Sequence, residues 1–183
     1  GVDDFVTLHS HVVDSDDITV AAWVNWDGGA AWQRIFDFGN NTSQYIFLSP
    51  LSGGNTLRFA IKNGGAEQIV ETTQLSTGVW VHMAVTLGGN TARLYVNGVL
   101  RATNAGVTIN PSDFKPRVNY IGKSQWADPL FNGRVDEFRV YNYALSAGEV
   151  AALAAQAPET TPPAAPTELS ATAGDGTVNL NWA

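Results

Sequence analysis

The sequence predicts an all-β protein built as an antiparallel sandwich or barrel, and three observations support this prediction. Short runs of about five to nine residues, rich in β-branched and aromatic side chains, recur along the chain of 183 residues. Clusters of Gly, Asn and Asp, which favour turns, separate these runs. Only 15% of the residues are charged, against about 25% in an average soluble domain. Many short strands at regular spacing are typical of packed antiparallel sheets.

Seven of the runs are predicted to be strands. They cover residues 18–26, 44–48, 56–62, 80–87, 91–96, 118–122 and 133–142. Asn97-Gly98 follows the fifth run and predicts a tight hairpin, because a type I′ turn needs positive φ at both central residues.

One segment, residues 145–155, is predicted to be a helix. Ser146 can cap its first turn and Glu149 follows three residues later, while Val150 and Leu153 share one face. This short C-terminal helix is expected to close a domain of residues 1–155.

The remaining residues have a different composition. Residues 156–166 contain four prolines and predict a stiff, extended linker. Residues 167–183 predict two strands around Asp175-Gly176, but so short a segment cannot bury a core, so we expect the truncated start of another domain. Because Gly1 is not a natural start, we expect the chain to be part of a longer protein.

Composition argues against several functions. Ten Lys and Arg against 17 Asp and Glu give a formal net charge of −7, which argues against a nucleic-acid partner and a polybasic membrane contact. No apolar run approaches the roughly 20 residues that span a bilayer, so no membrane partner is expected. Cysteine is absent, which excludes disulfides, zinc–thiolate sites and a cysteine nucleophile.

A series of short strings carries a family resemblance. In chain order they are GVDDFV (1–6), ITVAAWV (18–24), WVHMAVT (80–86), LYVNG (94–98), YIG (120–122), FNGRVDEFRVY (131–141), ALS (144–146) and EV (149–150). Residues 1–155 thereby resemble the laminin-G-like modules of the concanavalin A-like lectin/glucanase superfamily, most of all the accessory modules of secreted bacterial glycosidases. The resemblance implies a jelly-roll sandwich of two antiparallel sheets in a secreted protein. Residues 167–183 resemble the first strands of a fibronectin type III domain.

Two tryptophans fall in predicted loops and are candidates for ligand binding. Sugars stack their C–H faces on flat aromatic rings, and neighbouring amides or carboxylates then bind the hydroxyl groups. The polar neighbours are Gln33 and Asn41 near Trp32, and Gln125 and Asp128 near Trp126. The alternative is that both tryptophans cap the ends of the sandwich without a ligand. Trp23 and Trp80 lie in strand runs and are expected to pack in the core.

Asp136 is the candidate for a metal ligand. If the alternation of the strand is regular, Asp136 shares a face with Phe138 and Val140 and points toward the core. A buried carboxylate is costly unless it is paired or bound to a metal. Backbone N–H groups, or an arginine such as Arg93 or Arg134, could satisfy it without a metal.

Calcium is the expected metal, because Ca²⁺ takes oxygen ligands. Asp3 and Asp4 at the other end of the chain would join Asp136 if the terminal strands pair. The family resemblance also implies a structural calcium ion. Calcium binding and pairing of Asp136 with backbone N–H groups or an arginine are therefore alternative expectations.

The carboxylates do not form a glycosidase pattern. A retaining glycosidase needs two carboxylates about 5–5.5 Å apart. The enzymes that the fold resembles carry Glu-x-Asp-x-x-Glu or a close variant, which does not occur here. Adjacent Asp136 and Glu137 would point to opposite faces of a strand. We therefore expect no catalytic activity from this module.

These observations predict a non-catalytic module that binds or positions carbohydrate within a secreted multidomain protein. Its expected partners are a polysaccharide or glycan and the neighbouring domains of the same chain, and we expect the module to be monomeric. The alternative is a spacer or interaction domain with no glycan ligand, which a contiguous exposed apolar patch would favour.

Overall fold

Two antiparallel sheets pack face to face in the computed structural model, which describes residues 4–158, 170–174 and 177–181. The six-stranded sheet has the order β1 (Val6–Leu8), β10 (Val118–Ile121), β3 (Phe36–Asn41), β4 (Gln44–Ser49), β5 (Thr56–Asn63) and β6 (Gln68–Thr73). The five-stranded sheet has the order β11 (Gly133–Tyr141), β2 (Ile18–Trp26), β7 (Trp80–Gly88), β8 (Thr91–Val96) and β9 (Val99–Asn104). This architecture confirms the predicted all-β, two-sheet jelly-roll sandwich.

Every predicted run contains a strand, and the predicted hairpin is also confirmed. Asn97 and Gly98 have φ angles of 51° and 74° and connect β8 to β9. The Asn97 N–H donates to the His82 carbonyl oxygen at 2.7 Å, and its side-chain Oδ1 accepts from the His82 N–H at 2.9 Å. The turn therefore also fastens the hairpin to the neighbouring strand β7.

Strand β3 lies outside the predicted runs because it contains residues that usually mark turns. Asp37 and Gly39 both occur in it. A Cβ on Gly39 would lie 2.3 Å from the Gln44 carbonyl oxygen and 3.0 Å from the Tyr45 Cα, so the close backbone of strand β4 requires glycine here. Tertiary contacts therefore override the local turn signal.

Aromatic side chains from the two sheets interdigitate in the core. Phe36 and Phe38 stack at 4.9 Å between ring centroids, and Phe138 of β11 meets them edge-on at 6.2 and 6.3 Å. Trp26 lies in the same core, whereas Trp23 and Trp80 are only partly buried. The expected core position is therefore wrong for both residues, because Trp23 and Trp80 alternate with core residues Val24 and Val81 and point to the outer face. The Trp23 ring packs on the His82 ring instead.

The prediction that Asp136 points toward the core is also wrong. Val135 pairs with core residue Val24, and Asp136 pairs with Trp23 on the opposite face. The register then gains one residue on β11, and Glu137 has a φ of +50°. This β-bulge reverses the alternation, which is why Phe138 still reaches the core.

The predicted helix is present as α1 (Ala147–Ala154), with the predicted capping box. Glu149 N–H donates to Ser146 Oγ at 3.3 Å, and Ser146 N–H donates to Glu149 Oε2 at 2.8 Å. Buried Val150 packs against a small cluster on the outer face of the five-stranded sheet, meaning the face turned away from the other sheet. That cluster contains Ala21, Ala84, Tyr95 and Leu145.

The C-terminal segment forms a two-stranded antiparallel sheet of β12 (Ser170–Gly174) and β13 (Thr177–Asn181). This confirms the two predicted strands. Most of the predicted linker and the Asp175-Gly176 turn lie outside the described residues, and the fibronectin type III assignment stays a prediction. In the described part of the chain, no helix has the length and apolar character needed to cross a membrane.

Phe38→Ala is expected to lower the free energy of unfolding by about 3–5 kcal/mol, because a fully buried ring that joins the two sheets would leave a cavity. Urea unfolding followed by circular dichroism measures this change. Val99→Ala, at a side chain that is 52% exposed, serves as the control and should change stability by no more than about 0.5 kcal/mol. Equal effects of the two substitutions would contradict this account of the core.

Candidate functional site

An aromatic cleft lies on the outer face of the six-stranded sheet. Alternation along β4 places Ile46 and Leu48 in the core, so Tyr45 and Phe47 point outward, and both are nevertheless buried. The cleft has a volume of about 270 Å³. Its lining residues are Trp32, Arg34, Tyr45, Phe47, Glu67, Trp126 and Asp128.

Trp32 forms one wall of the aromatic cleft and has an unusual backbone conformation. Its φ is +70°, which a bulky residue rarely adopts. Its N–H donates to the Leu51 carbonyl oxygen at 2.8 Å. A Cβ on Gly53 would lie 3.2 Å from the Trp32 ring, so this glycine lets the indole pack closely on the backbone. These contacts fix the ring at the edge of the cleft.

Trp126 forms a second wall of the cleft and stands in a loop that is held by side-chain hydrogen bonds. Ser124 Oγ accepts from the Trp126 N–H at 3.0 Å and donates to Asp128 Oδ2 at 2.9 Å. The Trp126 ring meets Tyr45 edge-on at 4.9 Å and Phe47 at 6.4 Å. The loop and the strand thus hold the second indole in place.

Arg34 connects the two walls from beneath. Its side chain is only 3% exposed. The guanidinium group donates to the Trp32 carbonyl oxygen at 2.6 Å and forms ion pairs with Asp128 at 3.1 Å and Asp37 at 3.4 Å. It also lies 4.0 Å above the Phe47 ring, a cation–π distance. One buried cation therefore contacts the Trp32 segment, the Trp126 loop and the floor.

Asp37 lies under the loop that carries Trp126. Gln125 donates to its two carboxylate oxygens, from Nε2 at 2.9 Å and from the backbone N–H at 3.2 Å. Burial raises the pKa of Asp37 from 3.8 to about 6, although the Gln125 bonds and Arg34 act in the opposite direction. Burial likewise lowers the pKa of Arg34, against the attraction of Asp37 and Asp128. Burial of the Arg34–Asp37 ion pair therefore carries a substantial desolvation cost.

Glu67 completes the polar rim. Its Oε1 accepts from the Tyr45 hydroxyl at 2.6 Å, and its Oε2 lies 3.6 Å from Arg58. Burial and the bond to Glu67 raise the pKa of the Tyr45 hydroxyl above its usual value. The Arg58 guanidinium also lies 5.7 Å from the Trp32 ring.

The tryptophans of the cleft, Trp32 and Trp126, differ from Trp23 and Trp26 in the hydrogen bonding of their indole N–H groups. Trp26 Nε1 donates to Gln33 Oε1 at 3.1 Å, and Trp23 Nε1 donates to the Gln156 carbonyl oxygen at 2.6 Å. Among the hydrogen bonds of the described residues, none uses the indole N–H of Trp32 or Trp126. Neither donor therefore has a protein partner among the described residues.

The structure brings three of the five predicted ligand-binding residues into one cleft, namely Trp32, Trp126 and Asp128. Gln125 lies beside the cleft with its side chain bonded to Asp37. Asn41 lies at the β3–β4 turn, where it accepts from the Ser43 N–H, and is not among the lining residues. Their roles toward a ligand stay predictions.

Sequence reasoning missed the floor and the buried cation of the cleft. The missed residues are Arg34, Tyr45, Phe47 and Glu67. One signal was available, because the run QYIFL has large apolar side chains on both faces of a strand. Such a strand must be covered on its second face as well. Arg34 has no comparable signal in the sequence.

The predicted calcium ligands are not assembled in the part of the chain that the structure describes. Asp4 is exposed, Asp136 Oδ1 accepts from the Glu137 N–H at 2.8 Å, and Asp3 lies outside the described residues. Across the described ranges, no group of three or more His, Asp or Glu side chains is arranged to hold a metal ion. The calcium site stays a prediction.

Comparisons with known proteins place this geometry in context. A family model described as the concanavalin A-like lectin/glucanases superfamily (Laminin_G_3) matches residues 1–151. No curated protein sequence matches the chain.

Several solved structures share the fold. Domain 4 of AbnA, a GH43 extracellular arabinanase from Geobacillus stearothermophilus in complex with arabinotriose, is 23% identical with a TM-score of 0.72, over 82% of this chain and 72% of that chain. The Ruminococcus gnavus IT-sialidase CBM40 bound to α2,3-sialyllactose is 16% identical with a TM-score of 0.67, and the match covers 83% of this chain and 97% of that chain. A pentraxin from Limulus polyphemus is 14% identical with a TM-score of 0.60, over 82% and 74%. At these identities the likeness shows a shared fold.

The buried Asp37 predicts a specific pH dependence of stability. The Asp37 carboxyl keeps its proton to higher pH in the folded protein than in the unfolded chain. The protonated carboxyl therefore contributes to the free energy of unfolding fully below pH 3.8, and this contribution is lost as pH rises through about 6. The change amounts to at most about 3 kcal/mol. Urea unfolding of the wild type and of Asp37→Asn across this range measures it, and the difference between the two should vary with pH.

Asp27→Asn, at an exposed carboxyl, is the matched control and should parallel the wild type. Burial lowers the pKa of His82 to about 4, so His82 changes stability with pH in the opposite direction. This effect is common to all three proteins and cancels when the variants are compared with the wild type. A constant difference between Asp37→Asn and the wild type would contradict the assignment.

If calcium binds through Asp136, Asp4 and Asp3, added Ca²⁺ should raise the melting temperature and EDTA should reverse the rise, because a ligand that binds only the folded state stabilises it. Asp136→Asn should abolish the effect and Asp27→Asn should not. No heat in a calorimetric Ca²⁺ titration, together with an unchanged melting temperature in EDTA, would show that the metal assignment is wrong.

Proposed function

The chain belongs to the concanavalin A-like lectin/glucanase superfamily, and from this premise we propose that it is a non-catalytic module that binds carbohydrate in the aromatic cleft. The observation that carries the proposal is the pair of tryptophans, Trp32 and Trp126, which line one cleft and pack on its floor of Tyr45 and Phe47. The rings of Tyr45 and Phe47 stack at 5.5 Å. Buried aromatic residues on the outer face of a sheet, left open between two walls, are suited to a flat ligand with an apolar face.

Binding would combine stacking with hydrogen bonds. A sugar ring placed between the walls would lay its C–H face on an indole, and the free N–H groups of Trp32 and Trp126 would donate to its oxygens. Glu67 and Asp128 at the rim would accept from its hydroxyl groups, since an ionised carboxylate only accepts hydrogen bonds. The cleft is shallow, so we expect dissociation constants from micromolar to millimolar, or about −8 to −4 kcal/mol.

Two structural neighbours support this proposal. One neighbour is a domain of an extracellular arabinanase in complex with arabinotriose, and another is a sialidase CBM40 bound to sialyllactose. Both are parts of carbohydrate-active proteins and both hold oligosaccharides. We propose the same general role here, within a secreted multidomain protein whose further domains would follow the proline-rich linker.

The cleft carboxylates support a non-catalytic role. Asp128 is held by Arg34 and Ser124, and Glu67 is held by Arg58 and the Tyr45 hydroxyl. A glycosidase needs one protonated and one free carboxylate on either side of the scissile bond. Carboxylates that are each paired with an arginine are suited to binding rather than to proton transfer.

A spacer domain without a ligand is the alternative, and a contiguous apolar patch would favour it. The large exposed apolar side chains of the described residues occur at separate places instead. Phe5, Val6 and Val118 lie on or next to β1 and β10, whereas Val99 and Leu100 lie on β9 of the other sheet. This distribution favours the carbohydrate-binding proposal.

Trp32→Ala and Trp126→Ala are each expected to weaken glycan binding by at least about tenfold, or about 1.4 kcal/mol, because each removes a stacking surface and a donor. A glycan array identifies ligands, and calorimetric titration measures the affinities. Trp23→Ala is the control, because this partly exposed tryptophan lies on the other sheet with its N–H already bonded. No binding to any glycan would favour the spacer, and release of reducing sugar from the bound glycan would contradict a non-catalytic role.

A further inference from the structure

The cations at the aromatic cleft are already neutralised by the protein. Arg34 lies between Asp37 and Asp128, at 3.4 and 3.1 Å. Arg58, beside the Trp32 wall, lies between Glu67 and Glu71, at 3.6 Å from each. Each guanidinium group therefore has two carboxylate partners within ion-pair distance. Around these two arginines, four carboxylates face two cations.

The lysines on the same face of the sheet do not change this balance inside the cleft. Lys123 Nζ lies 4.1 Å above the Phe5 ring and 4.9 Å above the Tyr120 ring, where it is held by cation–π contacts. Lys62 pairs with Tyr45 across β4 and β5 but is not among the residues that line the cleft. Arg34 is the one cation in the lining, and its side chain is 3% exposed.

A ligand in this cleft would meet carboxylate acceptors and indole donors. Glu67 and Asp128 line the cleft and stay 27% and 25% exposed, so a ligand can reach them. A hydroxyl group satisfies either one by donating a hydrogen bond. A carboxylate or sulfate on the ligand would instead face like charges, with no free cation among the residues that line the cleft, and like-charge juxtaposition in a binding site is costly.

We propose, resting on the function proposed above, that the cleft selects uncharged saccharide units and rejects units that carry a carboxylate or a sulfate. The cleft volume of about 270 Å³ lies just below the roughly 300–1,000 Å³ of pockets that bury drug-sized ligands. It therefore takes about one or two sugar rings, and the selection acts on the charge of those rings rather than on the whole polysaccharide.

Pairs of related ligands, of which one member carries a carboxylate and the other is uncharged, test this proposal. Oligogalacturonides and their methyl esters share one ring structure, and lactose and sialyllactose share one neutral core; arabinotriose provides an uncharged pentose probe. Calorimetric titration at low and at high salt measures each affinity. The uncharged member of a pair should bind at least about tenfold more tightly at low salt, and salt should change its affinity little, because screening acts on charged groups.

Glu67→Gln reports on the charge pattern itself. It removes one carboxylate and leaves Arg58 with Glu71 alone, so the preference for the uncharged ligand should shrink several-fold, while circular dichroism confirms folding. Glu137→Gln is the matched control, because it removes the same charge from an exposed glutamate that is paired with Arg139 on the other sheet. The control should keep the wild-type preference.

The outcomes separate this inference from the function on which it rests. Uncharged ligands that bind more tightly, with loss of binding in Trp126→Ala, would support both. Tighter binding of a uronate or sialylated ligand, also lost in Trp126→Ala, would overturn the charge selection and leave the carbohydrate-binding function standing. Binding of neither kind of ligand, in the titrations or on an array that carries both kinds, would overturn the proposed function itself.

Discussion

A guanidinium group that is buried on the outer face of a sheet needs protein partners in place of the water that it loses, and much of this site depends on that constraint. Arg34 recovers it from Asp37 on β3, from Asp128 in the loop of the second wall and from the Trp32 carbonyl oxygen. Each partner lies on a different segment. Pairing of this one buried cation therefore holds both tryptophan walls against the floor.

Both sheets have apolar side chains on their outer faces, and different elements cover them. Small residues and Tyr95 on the five-stranded sheet are covered by α1, whose Val150 is fully buried. The six-stranded sheet has no such helix in the described structure, and its outward Tyr45 and Phe47 are covered by single side chains, chiefly the indoles of two loops and the Arg34 guanidinium. Loops cover a surface less completely than a packed helix does, and the open space between them is the aromatic cleft. The site is thus the uncovered part of an otherwise buried aromatic surface.

The sequence predicted those features that depend on neighbouring residues. The Asn97-Gly98 turn and the Ser146–Glu149 capping box each arise within four residues, and both are present. The orientation of Asp136 was wrong because the bulge at Glu137 reverses the alternation, and no residue type in that run signals a bulge. Trp32 and Trp126 could be found because tryptophan in a loop is unusual. Arg34 could not, because its role depends on partners that only the folded sheet brings together.

The ion pairs at the cleft contribute both to folding and to the proposed ligand selection, but each pair does so to a different extent. Arg34 and Asp37 are almost fully buried and hold the walls, so a change there would disturb the shape of the cleft before it altered the charge that a ligand meets. Arg58 is 22% exposed and its partner Glu67 27%, and neither supports a tryptophan through a hydrogen bond. The rim can therefore change its charge at a smaller cost in stability than the buried pair. If the cleft binds saccharides as proposed, substitution at the Arg58–Glu67 pair would alter the charge of the accepted saccharide while the tryptophan walls keep their positions.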